Sequence, residues 1–98
     1  MSATVYTIDE LRGLVSGVAA GYGAPRVGVF GSYARGEATA DSDIDLYVVR
    51  DDISAPDCFA LAYEVEQATG KEVDLATSTS VDPASPLWSE IQRDVVML

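Results

Sequence analysis

The sequence predicts an α/β fold in which a small mixed β-sheet of about three strands is flanked by helices, in the order αβαβαβα. Three observations predict it. Apolar residues recur at helical spacing in three separate stretches, three short β-branched runs lie between them, and glycines or capping residues mark the boundaries. Alternation of this kind is the pattern of a layered α/β unit. The length of 98 residues fits one domain spanning 1–98 with a modest core.

Thr7-Ile8-Asp9-Glu10 has the form of a capping box. Ile8, Leu11, Val15, Val18, Ala19 and Tyr22 then follow at helical intervals, and Gly21 and Gly23 end the helix. The run 26–30, with Val27 and Val29, is the first strand, and Gly31 breaks it. Residues 32–37 form a short helical turn limited by Gly36, followed by a small polar loop over 38–42. The second strand, 44–49, places Ile44, Leu46 and Val48 on one face, and Asp43, Asp45 and Tyr47 on the other.

Pro56 suits the first turn of the next helix, whose apolar side carries Cys58, Leu61, Ala62, Val65 and Thr69 before Gly70 stops it. The third strand, 72–76, sets Val73 and Leu75 against Asp74. Ser85-Pro86 opens the last helix as cap and first residue, and Trp88, Ile91 and Val95 form its apolar side.

Composition excludes several chemistries. Six Lys and Arg against sixteen Asp and Glu give a net charge of −10, and the basic residues are scattered. A protein that binds DNA or RNA directly needs a basic stripe to displace counterions, so no direct nucleic-acid contact is expected. The acidic surface suits a basic protein partner or simple solubility. With no His, neither a Ser–His–Asp nor a Cys–His device can be built, and Cys58 has no second cysteine to pair with. No apolar run approaches a membrane span, and residues 1–14 mix charges into their apolar positions, unlike a leader peptide. The expectation is a cytoplasmic protein without membrane contact.

Chemistry concentrates in three places. Asp43 and Asp45, at i and i+2 on a strand, project from one face about 6.5–7 Å apart at the backbone and can converge on hard cations such as magnesium. Gly31-Ser32 follows a strand and opens a helical turn, where a phosphate can approach the backbone amides and the hydroxyl. Asp74 sits between two apolar strand residues and, if buried, needs a cation or a partner. Taken singly, each also reads as an ordinary turn or a solvated strand residue.

Together they resemble a known family. Gly31-Ser32, ten intervening residues and Asp43-Ile44-Asp45 resemble the signature of the DNA polymerase β-like nucleotidyltransferases. The fuller stretches 30–38 and 42–46 are similar to its minimal nucleotidyltransferase branch, Val73-Asp74-Leu75 falls where that branch places a third acid, and 91–98 resembles its closing helix and tail. The resemblance covers nearly the whole chain and implies the polymerase β-like palm fold.

It also implies roles by position. Gly31 and Ser32 would hold the β- and γ-phosphates of ATP, and Asp43 and Asp45 would bind two magnesium ions. Asp74 would complete the catalytic metal site and help deprotonate an acceptor hydroxyl. Arg35 stands at the family's motif arginine, with phosphate contact and a structural pair with Glu37 or a nearby Asp both open. Tyr33, Tyr47 and Trp88 read as packing residues before base-stacking or interface ones.

Members of this branch resemble antitoxins that silence a small helical HEPN-type toxin by transferring AMP to a tyrosine hydroxyl. A binding module that occludes the same partner without catalysis, and a small-molecule nucleotidyltransferase, are the other readings. The intact set of three acids favours chemistry over occlusion, and the absence of a substrate domain disfavours the small-molecule reading.

Overall fold

The computed structural model describes residues 3–98; the first two residues of the stretch 1–14, read above as no leader, lie outside them. The elements are α1 (Ile8–Ala20), β1 (Val27–Phe30), α2 (Gly31–Arg35), β2 (Ile44–Val48), α3 (Ala55–Thr69), β3 (Val73–Thr77), α4 (Pro86–Asp94) and β4 (Val96–Met97). Among the described residues no helix is long and apolar enough to cross a membrane.

Local chemistry sets the helix ends. The Thr7 hydroxyl accepts from the Glu10 amide and the Glu10 carboxylate accepts from the Thr7 amide, which completes the capping box of α1. The Ser54 and Ser85 hydroxyls cap α3 and α4 by accepting from the Asp57 and Trp88 amides, each with a proline in the first turn. Gly36 and Gly70 close α2 and α3 in the left-handed conformation.

The strands form one mixed sheet in the order β3-β2-β1-β4. β1 runs antiparallel to β2 and β4, whereas β2 and β3 are parallel and α3 makes the crossover between them. On one face α1 and α3 pack through Leu11, Val15, Leu61 and Val65 onto Val29, Ile44, Leu46 and Val48. On the other, Ile91 of α4 packs with Phe30, Tyr47 and Ala76. The alternation read along the second strand thus separates a helix-covered core from a face carrying Asp45 and Tyr47.

Two details differ from the sequence-based expectation. β3 lies one residue later than the run 72–76, and the sheet has a fourth strand where a helical tail was expected. The α4 helix stops at Asp94, and Val95 turns into an extended conformation (φ −59°, ψ 131°). Val96 and Met97 then pair with Val29 and Gly28. A two-residue strand is too short to show a period, and Val95 still packs beside Ile91, so it satisfies the helical apolar pattern without being helical.

β4 depends on Gly28. A Cβ there would lie 2.6 Å from Val95 Cγ2 and 2.9 Å from Met97 Sδ. Gly28→Val is expected to pry the C-terminal strand off the sheet and lower stability by about 2 kcal/mol through overpacking. Urea unfolding measures it, and an unchanged midpoint would count against the close approach.

Candidate active site

The sheet register lines up the site. Phe30 lies opposite Asp45, and Asp45 lies opposite Asp74, so one row crosses β1, β2 and β3 on the face away from α1 and α3. Residues directly across a ladder point to the same side. The chain leaves Phe30 straight into Gly31, which sets the start of α2 beside Asp45. The approach is close enough to exclude a side chain: a Cβ on Gly31 would stand 2.1 Å from Asp45 Oδ2, and the residue has φ +70°. In contrast with α1, α3 and α4, no side chain caps the start of α2. Its first amides, at Gly31 and Ser32, sit where the ladder row ends.

The electrostatics of the row are unusual. Asp45 is half-buried, and its carboxyl is pushed up to about 6, first by burial and then by the charge of Asp74. The nearness of the Asp74 carboxyl adds to this, and Glu90 and Asp43 raise Asp45 further. Asp43 stands exposed one residue before β2, and Asp74 is exposed on the edge strand. Among the described residues no group of three or more His, Cys, Asp or Glu side chains is placed to hold a metal ion. Carboxylates gathered this way repel one another, and a divalent cation that keeps its own waters and shares ligand phosphates needs few protein oxygens. A cation would relieve the repulsion that raises Asp45, and the all-oxygen donor set fits a hard divalent ion.

Other residues support the row. Arg35 takes up the structural role of the two the sequence left open. Its guanidinium pairs with Glu37 at 2.7 Å and with Asp94 at 2.8 Å, with Glu90 3.8 Å away. This bridge ties α2 to α4, the structural pairing that the sequence held open beside a phosphate contact. The Asp94 carboxylate, 6% exposed, also pairs with Arg93, and the two guanidiniums hold it down to about 2. Tyr33 is buried, and its hydroxyl is the one buried side-chain polar atom without a partner among the described residues. Tyr47 and Trp88 meet with ring centroids 6.0 Å apart in the core beneath α4. All three aromatics pack, as the sequence suggested.

Two residues were missed. Glu90, on α4, brings a fourth carboxylate into the field of Asp45. Helical spacing alone marks it as a solvated position, and only the docking of α4 places it here. Lys71 is the only lysine of the chain and is 6% exposed. Its ammonium donates to the Ala40 carbonyl at 2.5 Å, and the Ile44 amide donates to the Glu72 carbonyl at 2.9 Å. These bonds join the loop entering β3 to the loop that ends in Asp43. Lys71, Asp43, Asp41 and Glu72 line a cavity of about 330 Å³. The sequence signal for Lys71 was its singularity in an acidic chain.

The chain matches the nucleotidyltransferase domain family over residues 14–96. It is 38% identical over 76 residues to the protein adenylyltransferase MntA of Thermococcus cleftensis, covering 76% of this chain and 75% of that one. It is 39% identical over 77 residues to a Methanocaldococcus jannaschii protein provisionally named a protein adenylyltransferase, covering 78% and 83%. Among solved structures, one provisionally named a minimal nucleotidyltransferase superposes with a TM-score of 0.73 at 30% identity, covering 97% of this chain and 99% of that one. A toxin–antitoxin structure with AMP-PNP superposes with a TM-score of 0.61 at 26% identity, over 74% of this chain. This chain spans 58% of the length of that one.

Proposed function

The chain belongs to the nucleotidyltransferase domain family, and from that premise we propose that it transfers AMP from ATP to a protein hydroxyl. The acceptor is a tyrosine of a HEPN-type toxin, the reaction depends on magnesium, and the chain acts as the antitoxin. It works as one domain in the cytoplasm, without direct nucleic-acid contact. Support comes from the relatives named for protein adenylyl transfer and from the likeness to a toxin–antitoxin structure with an ATP analogue. The observation that carries the site is the row in which Asp45 faces Asp74 beside the uncapped start of α2.

In this reading Gly31 and Ser32 orient the β- and γ-phosphates through backbone amides and the Ser32 hydroxyl. Asp43, Asp45 and Asp74 would hold two magnesium ions, which supply positive charge against the triphosphate and the charge that develops during transfer. Asp74, exposed on the edge strand, accepts the proton of the incoming hydroxyl. The acceptor oxygen attacks the α-phosphorus and pyrophosphate leaves. Arg35 and Lys71 hold α2 and the Asp43 loop in place. Most of the rate enhancement is then positioning and charge compensation.

The test is a mixture of this chain, ATP, magnesium and the HEPN-type product of the adjacent gene, with both proteins weighed afterwards. One or more AMP groups are expected on the partner, none with Asp43→Asn, and none after chelation of magnesium. A tight, unmodified complex that survives Asp45→Asn would replace catalysis by occlusion.

A further inference from the structure

The lone lysine of this acidic chain is buried at the entrance to β3. A charge taken out of water costs stability unless its hydrogen bonds are replaced, so what this one holds is informative. Its base is rigid. Gly70 closes α3, and its amide donates to the Glu66 carbonyl at 2.8 Å. The Lys71 amide donates to the Thr69 hydroxyl at 3.2 Å, and that buried hydroxyl donates to the Val65 carbonyl at 2.8 Å. The Tyr6 hydroxyl, from the segment before α1, donates to the Thr69 carbonyl at 2.9 Å and braces the same point.

The far end of the side chain crosses to another loop. The Lys71 ammonium donates to the carbonyl of Ala40, three residues before Asp43, while Lys71 itself stands three residues before Asp74. One side chain thus spans the two segments that deliver the two exposed acids of the proposed metal site. The turn it holds is closed on itself. The Thr39 amide donates to the Ser42 hydroxyl at 2.8 Å, and the Ser42 amide donates to the Thr39 carbonyl at 3.1 Å. Holding Ala40 therefore holds the whole turn. Asp43 follows it and is too exposed for side-chain packing to fix it. The Ile44 amide, bonded to the Glu72 carbonyl, fixes the chain after Asp43, and Lys71 fixes it before. On the other strand, the Val73 amide donates to the Glu66 carboxylate at 2.9 Å, and Asp74 is in register with Asp45. Of the two exposed acids, Asp43 is the one that can drift, and Lys71 limits the drift.

We propose that Lys71 is a positioning residue that places Asp43 relative to Asp74 and so sets how tightly magnesium-ATP is held. A site whose groups are ordered in advance does not have to order them on binding. Magnesium demands near-octahedral geometry with short bonds, so a small drift of Asp43 costs affinity. This role rests on the adenylyl transfer proposed above and adds to it the residue on which metal affinity depends. A purely structural lysine would move stability and leave the magnesium requirement alone; Lys71 moves the requirement.

The experiment titrates magnesium at fixed ATP into wild type, Lys71→Met and Lys71→Arg. Methionine fills the volume of the lysine stem without the ammonium, and Ala40 is exposed, so its carbonyl can take water instead. The readouts are the thermal shift by magnesium-ATP, AMP transfer to the adjacent gene's HEPN-type product, and amide hydrogen exchange over 39–44 without metal. Lys71→Met is expected to raise the magnesium concentration for half the thermal shift, and for half-maximal transfer, about tenfold, while the rate at saturating magnesium falls by less than about twofold. Without metal, the Ser42 and Ile44 amides should exchange about tenfold faster than in wild type. Lys71→Arg, which keeps the donor, should recover most of the loss. If the methionine variant does not fold, Lys71→Gln, polar and shorter in reach, carries the same expectation. A magnesium midpoint that stays at the wild-type value overturns the inference and leaves the proposed reaction standing. A rate lost at saturating magnesium with the midpoint unmoved overturns it as well. A midpoint that shifts as expected in the thermal titration, in a protein whose wild type transfers no AMP, upholds the positioning and sinks the reaction.

Discussion

Asp45→Asn will abolish transfer and, with no metal present, make the protein more stable. The carboxyl of Asp45 is shifted from an ordinary 3.8 to about 6 by burial and by the neighbouring Asp74. A raised acid favours its neutral form in the folded state, so the stability it contributes is present below about pH 4 and is lost as pH rises through about 6. At pH 7.5 the folded, metal-free protein carries that cost in full. A shift of this size corresponds to a few kcal/mol at most, and partial exposure screens it to about 1 kcal/mol. Asparagine keeps the shape and can donate to Asp74, so the melting temperature should rise by roughly 4–8 °C at pH 7.5. The gain should shrink as pH falls through 6 and reach zero only below about pH 4, where the carboxyl is neutral in the unfolded chain as well.

Magnesium with ATP should raise the melting temperature of the wild type and leave the variant almost unmoved. Transfer should fall by about 10³-fold, since a group aligned with developing charge has been removed. A variant that melts lower than wild type without metal, or that keeps its activity, would mean that Asp45 is an ordinary strand carboxylate.

Gly31→Val is expected to damage both the fold and the reaction. Its Cβ would lie 2.1 Å from Asp45 Oδ2 and 3.1 Å from Asp45 Cγ, and its φ of +70° is unfavourable for a β-branched residue. The backbone conformation costs about 1–2 kcal/mol and the collision adds to it. Either the carboxylate swings out of the row or α2 retreats from β2, and both separate Ser32 from Asp45. A stability loss of about 2 kcal/mol, roughly 8–16 °C in melting temperature, should accompany a fall in transfer of about 100-fold.

Gly36→Ala is the control. Gly36 has a similar φ of +73°, but nothing lies within 4 Å of its Cβ position. It should lose stability through backbone strain alone and keep its turnover below its own melting point. Equal losses of activity in the two variants would show that strain in α2, and not the approach to Asp45, is what matters.

The candidate site was legible in the sequence because its parts are local. A strand that ends in Gly31-Ser32 and a strand that carries Asp43 and Asp45 at alternate positions are one-dimensional patterns, and the period of two dictates which side chains share a face. Capping boxes, N1 prolines and left-handed glycines set the helix ends for the same reason: each is decided within a turn of chain. β4 escaped because pairing two residues depends on a distant strand offering room at Gly28. Arg35 pairs with Glu37 two residues on, and the docking of α4 added a partner distant in the chain by bringing Asp94 to 2.8 Å.

The sequence by itself determined the layered α/β order, the Gly-Ser turn, the two acids on one face of β2 and the lone acid on the next strand. Only the tertiary structure decided that Asp74 stands directly across from Asp45, that Gly31 presses against the same carboxylate, that Lys71 and Glu90 border the site, and that β3 is the free edge. The division has a physical cause. Periodicity, capping and backbone preference act over a few residues and are written in the order of the chain. Register, close approach and charge coupling join residues tens of positions apart, and they exist only once the hydrophobic faces of sheet and helices have packed.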